Sequence, residues 1–192
     1  MRSMFFIFVL SGCFESIAPN TPDAAPVSGD APLGRYTTTR DPDGTYTTIV
    51  DSTSMTEWVY GDFAHGAQVS ATAPWDLRFQ RFHISINGGS SGNGGVEIAA
   101  ITGLTFAEVM SAPSQGWLTD KADGEDSNMD PDYAFEQGDG WYDYNPTTHA
   151  LAPKPIVWAI KTHDSSTIKL EITKYYDGAG TAGWLTLHWS PM

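Results

Sequence analysis

Apolar and polar residues alternate along several short stretches of this chain. In the clearest one, residues 77–86, the apolar side chains are Leu77, Phe79, Ile84 and Ile86, and most residues between them are polar. A period of two is typical of a half-buried strand. The Asn-Gly-Gly sequence that follows supplies the positive φ angles of a tight turn. We therefore predict one strand over this stretch, closed by a Gly/Ser-rich turn.

Other segments combine β-branched and aromatic residues in the way that strands do. These further predicted strands lie at 35–40, 45–50, 58–60, 96–101, 141–144, 156–162, 167–173 (continued by Tyr175 and Tyr176) and 183–189. The first two flank an Asp-Pro-Asp-Gly turn and are expected to form a hairpin. A second turn is predicted at 163–166, between the two strands on either side of it.

One segment indicates a short helix. Thr105 and Glu108 have the spacing of a capping box, and Pro113 would end a helix over 105–110. No segment keeps a helical period for three turns. The pattern as a whole predicts an all-β fold, a mainly antiparallel sheet in a sandwich or barrel-like arrangement with at most one short helix.

The first residues are typical of a secretion signal. Arg2 precedes a short apolar run, which ends in Leu10-Ser11-Gly12-Cys13, the pattern of a bacterial lipobox. Cys13 is the only cysteine, so an internal disulfide is excluded, and lipidation accounts for it. We predict a signal peptide at 1–12, a lipid on Cys13 and export to the outer membrane or cell surface.

A tether and one domain follow the lipidated cysteine. Residues 13–34 are rich in Pro, Ala, Asp and Gly without any period, which predicts a disordered tether. Cleavage within it could also release the protein. Residues 35–192 have the length of a single all-β domain.

Charge narrows the range of partners. The formal net charge is −13, with 10 Lys and Arg against 23 Asp and Glu, and no basic stripe is present. Such a chain repels nucleic acid and anionic lipid head groups. We therefore expect no nucleic-acid partner and contact with the membrane only through the lipid. No nucleophile elbow, phosphate-binding loop or His-Glu-x-x-His motif occurs, and we predict that the protein is not an enzyme.

An ordered set of motifs resembles the HmuY-like family of haem-binding surface lipoproteins. The motifs are Trp58, Trp75-Asp76, Asn87-Gly88-Gly89, Pro113 with Gly116-Trp117 and Asp120, Gly140-Trp141-Tyr142-Asp143-Tyr144, Pro153-Lys154-Pro155, Lys169-Leu170 and Tyr175-Tyr176. The resemblance spans about residues 55–189. It implies that family's all-β fold, haem or a related porphyrin as ligand, and an outer-membrane haem transporter as partner.

The resemblance also indicates where haem ligands would lie. The family pattern places one histidine in the central polar loop and another just after the Gly-Trp strand. Here the loop at 121–133 contains Met129 but no histidine, and His149 follows the strand a few residues late. A thioether and an imidazole can both ligate haem iron. Met129 and His149 are therefore the candidate axial ligands.

Two alternatives remain open. Asp126, Asn128, Asp130 and Asp132 alternate in the acidic loop and could turn oxygens toward a calcium ion. Because the glycine and the distal glutamate of an EF-hand loop are missing, a solvated loop is the expected state and calcium is unlikely. The second alternative is a surface lipoprotein on the same scaffold that binds a protein or a glycan rather than haem.

Overall fold

The computed structural model of the chain describes Ala31, residues 33–123 and residues 131–192. Within these ranges the chain forms twelve strands and no helix. The strands are β1 (Tyr36–Arg40), β2 (Tyr46–Asp51), β3 (Val59–Asp62), β4 (Ala67–Val69), β5 (Leu77–Gln80), β6 (His83–Ile86), β7 (Glu97–Ile101), β8 (Tyr142–Asn145), β9 (Ala150–Pro153), β10 (Val157–Lys161), β11 (Thr167–Tyr176) and β12 (Ala182–Pro191). None of these residues belongs to a helix long and apolar enough to cross a membrane.

The strands form three sheets in which every pair is antiparallel. The large sheet has the order β1-β2-β12-β11-β10-β7, the small sheet has the order β4-β3-β5-β6, and β8 pairs with β9. This confirms the predicted all-β, mainly antiparallel fold. The predicted hairpin of the first two strands and the turn at 163–166 are also present.

The large and small sheets share one apolar core. Along β11 and β12 buried and half-buried residues alternate, as expected for strands with one face on a core. The core contains residues from both sheets, among them Val50, Leu77, Phe79, Ile84, Ile86, Ile160, Leu170, Leu185 and Leu187. The two sheets therefore pack as a sandwich around this cluster.

The prediction of one strand over 77–86 was wrong. This stretch forms β5 and β6, joined by a turn at Arg81 and Phe82, and the two strands pair with each other. The apolar residues of this stretch explain the difference, because Leu77 and Phe79 have odd numbers whereas Ile84 and Ile86 have even numbers. A single strand would place these two sets on opposite faces, whereas a hairpin places both on the core.

The predicted helix at 105–110 is a single turn. Half of the capping box forms: Thr105 N donates to Glu108 Oε2 at 2.8 Å, whereas Glu108 N donates at 3.0 Å to the backbone oxygen of Thr105 and not to its hydroxyl. A helix does not continue because Lys169 Nζ takes the carbonyl oxygens of Phe106 and Val109, at 2.7 and 2.8 Å. The Phe106 oxygen would accept from the next turn of a helix, and Pro113 also stops propagation.

Two strands were not predicted from the sequence. β4 has three residues, and β9 has the sequence Ala-Leu-Ala-Pro, which lacks a clear alternation. The predicted signal peptide, Cys13 and most of the predicted tether lie outside the described residues. Ala31, inside the predicted tether, is buried and its N–H donates to Trp58 O at 3.0 Å.

Candidate functional site

The turn between β5 and β6 is fixed to the large sheet. Arg81 adopts a φ of 53°, an uncommon value for a residue other than glycine. Its N–H donates to Ser52 O at 2.7 Å, and Ser52 Oγ donates back to Arg81 O at 2.9 Å. The Arg81 guanidinium donates to Ala182 O at 3.2 Å. These contacts set the position of the next two residues, Phe82 and His83.

His83 is held in one orientation. Its Nδ1 lies 3.1 Å from Glu136 Oε1, and its ring packs 4.1 Å from the ring of Phe82 and 5.5 Å from that of Tyr133. The side chain is 19% exposed. Its Nε2 has no hydrogen bond to any residue that the structure describes. A histidine with Nδ1–H on a carboxylate keeps the lone pair of Nε2 for a metal or a hydrogen-bond donor.

The hairpin of β8 and β9 presents the second histidine. Its first side is anchored by Trp141, whose Nε1 donates to Phe82 O at 3.0 Å. His149 lies in the turn with a φ of 56°, and its N–H donates to Asn145 O at 2.8 Å. The ring is exposed, and its Nδ1 hydrogen-bonds the Tyr144 hydroxyl. His149 therefore also has one ring nitrogen engaged.

A surface cavity of about 550 Å³ has both histidines in its wall. We call it the His83–His149 cleft. Its lining residues are Met55, Gln80, Arg81, Phe82, His83, His149, Leu151, Tyr175, Tyr176 and Ala182. Six of these ten residues are apolar or aromatic; the others are one glutamine, one arginine and the two histidines, and none is a carboxylate. Burial raises the pKa of Tyr175 above its ordinary value.

A second cavity of about 460 Å³ shares Phe82 and His83 with this cleft. Its other walls come from residues 131–133 and 136–140 and from Tyr142. Three carboxylates line it, those of Asp132, Glu136 and Asp139. Burial raises the pKa of Tyr142, and the charge of Glu136 raises it further. This cavity is less suited than the cleft to an anionic ligand.

Asp120 ties the ends of the central loop to the small sheet. Its carboxylate, 2% exposed, accepts from Ala134 N at 2.7 Å, Ser85 Oγ at 2.7 Å and Ile86 N at 3.0 Å. Beside it, Lys121 N donates to Asp132 O at 3.0 Å and closes the loop. Burial raises the pKa of Asp120, against the lowering effect of its donors. The carboxylate thereby positions residues 132–136 next to His83.

The sequence-predicted site residues have different outcomes. His149 lies in the wall of the cleft, whereas Met129 lies outside the described residues. Of the four calcium candidates, Asp126, Asn128 and Asp130 are also outside them. Asp132 is half-buried, and its carbonyl oxygen accepts from Lys121 N and from Gln137 Nε2.

His83 was missed by sequence reasoning. On one continuous strand over 77–86 it would fall on the polar side, whereas in the structure that stretch is broken and β6 begins at His83. The signal that could have found it is the change from odd to even apolar positions, which places a turn at Arg81 and Phe82. A histidine just after a turn lies at an edge of the sheet, where a cleft can form.

The fold is also found in other proteins of known structure. Three solved structures share the fold. They are a candidate lipoprotein from Bacteroides fragilis (17% identity, TM-score 0.59, covering 79% of this chain and 91% of that chain), a candidate HmuY-like haem-binding protein from Bacteroides vulgatus (17%, 0.61, 80% and 95%) and an apo HmuY analogue from Tannerella forsythia (15%, 0.58, 83% and 98%). At these identities the likeness concerns the fold alone.

The sequence itself matches one family. No curated protein matches the chain. The family model described as HmuY protein matches residues 54–189. In chain order this span contains strands β3 to β11 and most of β12, together with both histidines of the cleft. Because this span is more than half of the 192 residues, the chain belongs to the HmuY family.

Proposed function

We propose that this protein binds haem or a related porphyrin in the His83–His149 cleft, at the cell surface, where a lipid on Cys13 anchors it. The observation that carries the proposal is that two histidines line one aromatic cavity that contains no carboxylate. Membership of the HmuY family supports the same ligand class. The Bacteroides vulgatus relative is described as a candidate haem-binding protein.

The cleft has the chemistry that a porphyrin requires. Its volume of about 550 Å³ lies within the usual range for small-molecule sites, roughly 300–1,000 Å³. Phe82 and Tyr176 offer apolar ring surface for a flat macrocycle, and Arg81 offers a positive charge for its carboxylate groups. The acidic cavity next to it would instead repel those groups.

We assign His149 as one axial ligand and His83 as the second. The contact of His83 Nδ1 with Glu136 orients the ring and leaves Nε2 to bind iron. Met129 is the alternative second ligand. It precedes Pro131 by two residues in the sequence, and Pro131 lines the acidic cavity, whose wall also includes His83. Bis-histidine and histidine–methionine ligation are both known haem arrangements.

A haem titration of the purified full chain tests this assignment. We expect a saturable, red-shifted Soret band with one haem per chain. His149→Ala and His83→Ala should each weaken binding by roughly tenfold or more, which corresponds to about 1.4 kcal/mol. If Met129 is the second ligand, Met129→Ala should weaken binding while His83→Ala leaves it nearly unchanged.

His188→Ala provides the matched control. His188, like His83, is half-buried with its Nδ1 on a glutamate, at 2.9 Å from Glu171 Oε1, but it is not in the wall of the cleft. Its replacement should leave the Soret titration unchanged. A flat titration of the wild-type chain would contradict haem binding and would favour a surface lipoprotein with a protein or glycan partner.

If haem binds, delivery to an outer-membrane haem transporter is the function that we propose for the complex. The net charge of −13 disfavours contact of the domain with anionic lipid, so the tether would set its distance from the membrane.

A further inference from the structure

Two buried carboxylates meet at the edge of the sandwich, away from the His83–His149 cleft. Asp62 ends β3 and is 4% exposed, and Asp76 lies just before β5 and is fully buried. His163, from the turn between β10 and β11, points at both. One carboxylate oxygen from each aspartate and one ring nitrogen of His163 all lie within 4.8 Å of one another.

The charge of this cluster lacks a permanent counter-charge. Among the residues described, neither carboxylate forms an ion pair with a Lys or an Arg; the partner of each is a histidine. Asp76 Oδ1 lies 2.9 Å from His163 Nδ1, and Asp62 Oδ2 lies 2.6 Å from His65 Nδ1. Two buried anions close together are costly unless a cation lies between them or both imidazoles are protonated.

A buried hydroxyl group gives an independent indication. Tyr36 is 6% exposed, and its hydroxyl oxygen lacks a well-formed hydrogen bond within the described ranges, although Thr48 lies nearby. Its ring packs against Gly61, the residue before Asp62. Burial raises its pKa, and the charges of Asp76 and Asp62 add to this effect. The phenol is therefore a buried donor next to Gly61, whose carbonyl oxygen accepts from Asp76 N at 2.8 Å.

We propose that Asp62, Asp76 and His163 bind a zinc ion, with a water molecule as the fourth ligand. Nitrogen and oxygen donors in a set of four match the tetrahedral preference of Zn²⁺, with bonds of about 2.0–2.2 Å. Calcium is excluded as the preferred ion because it takes about six to eight oxygen ligands. Zinc replaces the proton on the coordinating nitrogen of His163, and that proton leaves as the imidazole becomes a ligand.

The surrounding structure fits this role. Backbone N–H groups of Phe63, Ala64 and His163 donate to the two carboxylates at 2.8 Å each and fix their orientation. Phe63 and Ala64, together with Thr162 just before His163, line a cavity of about 250 Å³. The ion would connect the small sheet to a turn of the large sheet, 87 residues away in sequence.

Zinc titration of the metal-free full chain, without haem, tests the proposal. We expect one zinc ion per chain by calorimetry and a rise in Tm that increases with zinc concentration. Asp62→Asn should weaken zinc binding by about tenfold or more. The amide oxygen of the asparagine can still accept the hydrogen bond from Ala64 N. His163→Ala should do the same and should also lose the zinc-dependent rise in Tm.

His188→Ala is again the control, since His188 contacts a single carboxylate. It should bind zinc as the wild type does. No zinc-dependent heat or Tm change in the wild type would overturn the proposal, as would undiminished binding by folded Asp62→Asn and His163→Ala. Because haem is absent from this experiment, its outcome is independent of the proposed function.

Discussion

Trp141→Ala should lower the free energy of unfolding by about 3–5 kcal/mol and also weaken binding in the His83–His149 cleft. Trp141 is 1% exposed and packs against Tyr142 and Tyr175 with ring centroids 4.9 and 5.9 Å away. Its removal leaves a large cavity that the surrounding strands can close only in part. It also removes the hydrogen bond that holds the Phe82 carbonyl, so the turn before His83 loses a support.

Urea unfolding followed by circular dichroism measures this loss. Trp141→Phe, which retains most of the ring volume but not the N–H, should cost only about 1–2 kcal/mol. Trp117→Ala is the matched control, because Trp117 is half-buried and stacks on Lys161 at 4.0 Å rather than in the core. Equal losses for Trp141→Ala and Trp117→Ala would contradict the central position given to Trp141.

The sequence predicted most of the fold because alternation directly reflects burial. β12 alternates along nearly its whole length and β11 from Thr167 to Ile172, so their existence and their inward faces follow from the pattern. The turn at Arg81 is different, since nothing in the sequence there is a usual turn signal and Arg81 takes a positive φ. Contacts with Ser52 and Ala182, distant in sequence, stabilise that conformation.

The candidate site was only partly predictable for the same reason. His149 was a candidate because the family resemblance places a histidine just after the Gly-Trp strand, and it lies in the wall of the cleft. His83 becomes a site residue only when Glu136, 53 residues away in sequence, binds its Nδ1 and the hairpin of β8 and β9 packs beside it. The cluster of Asp62, Asp76 and His163 likewise depends on the pairing of β3 with β5 and on a turn of the other sheet.

Asp120→Ala should cost about 3 kcal/mol of stability, because it leaves the buried N–H groups of Ile86 and Ala134 without an acceptor. Asp120→Asn should cost less, about 1–2 kcal/mol, since one oxygen remains and only one of the two N–H groups loses its partner. Both variants should also weaken binding in the cleft, because Ala134 links Asp120 to the segment that contains Glu136. Chemical unfolding and the haem titration measure the two effects.

The pH dependence of the stability difference between the wild type and Asp120→Asn tests whether Asp120 is a buried acid in the folded chain. Burial raises the pKa of Asp120 above its value in the unfolded chain, so the folded chain binds this proton more tightly. The contribution of Asp120 to stability must therefore increase as pH falls through the folded-state pKa, and it is lost as pH rises through that value.

A protonated carboxyl still has a lone pair for Ile86 N, which an amide nitrogen lacks. The difference in unfolding free energy between the wild type and Asp120→Asn should thus grow as pH is lowered from neutral, while the effects of the other carboxylates cancel. A difference that shrinks over this range would mean that the three donors outweigh burial and that Asp120 favours its charged form.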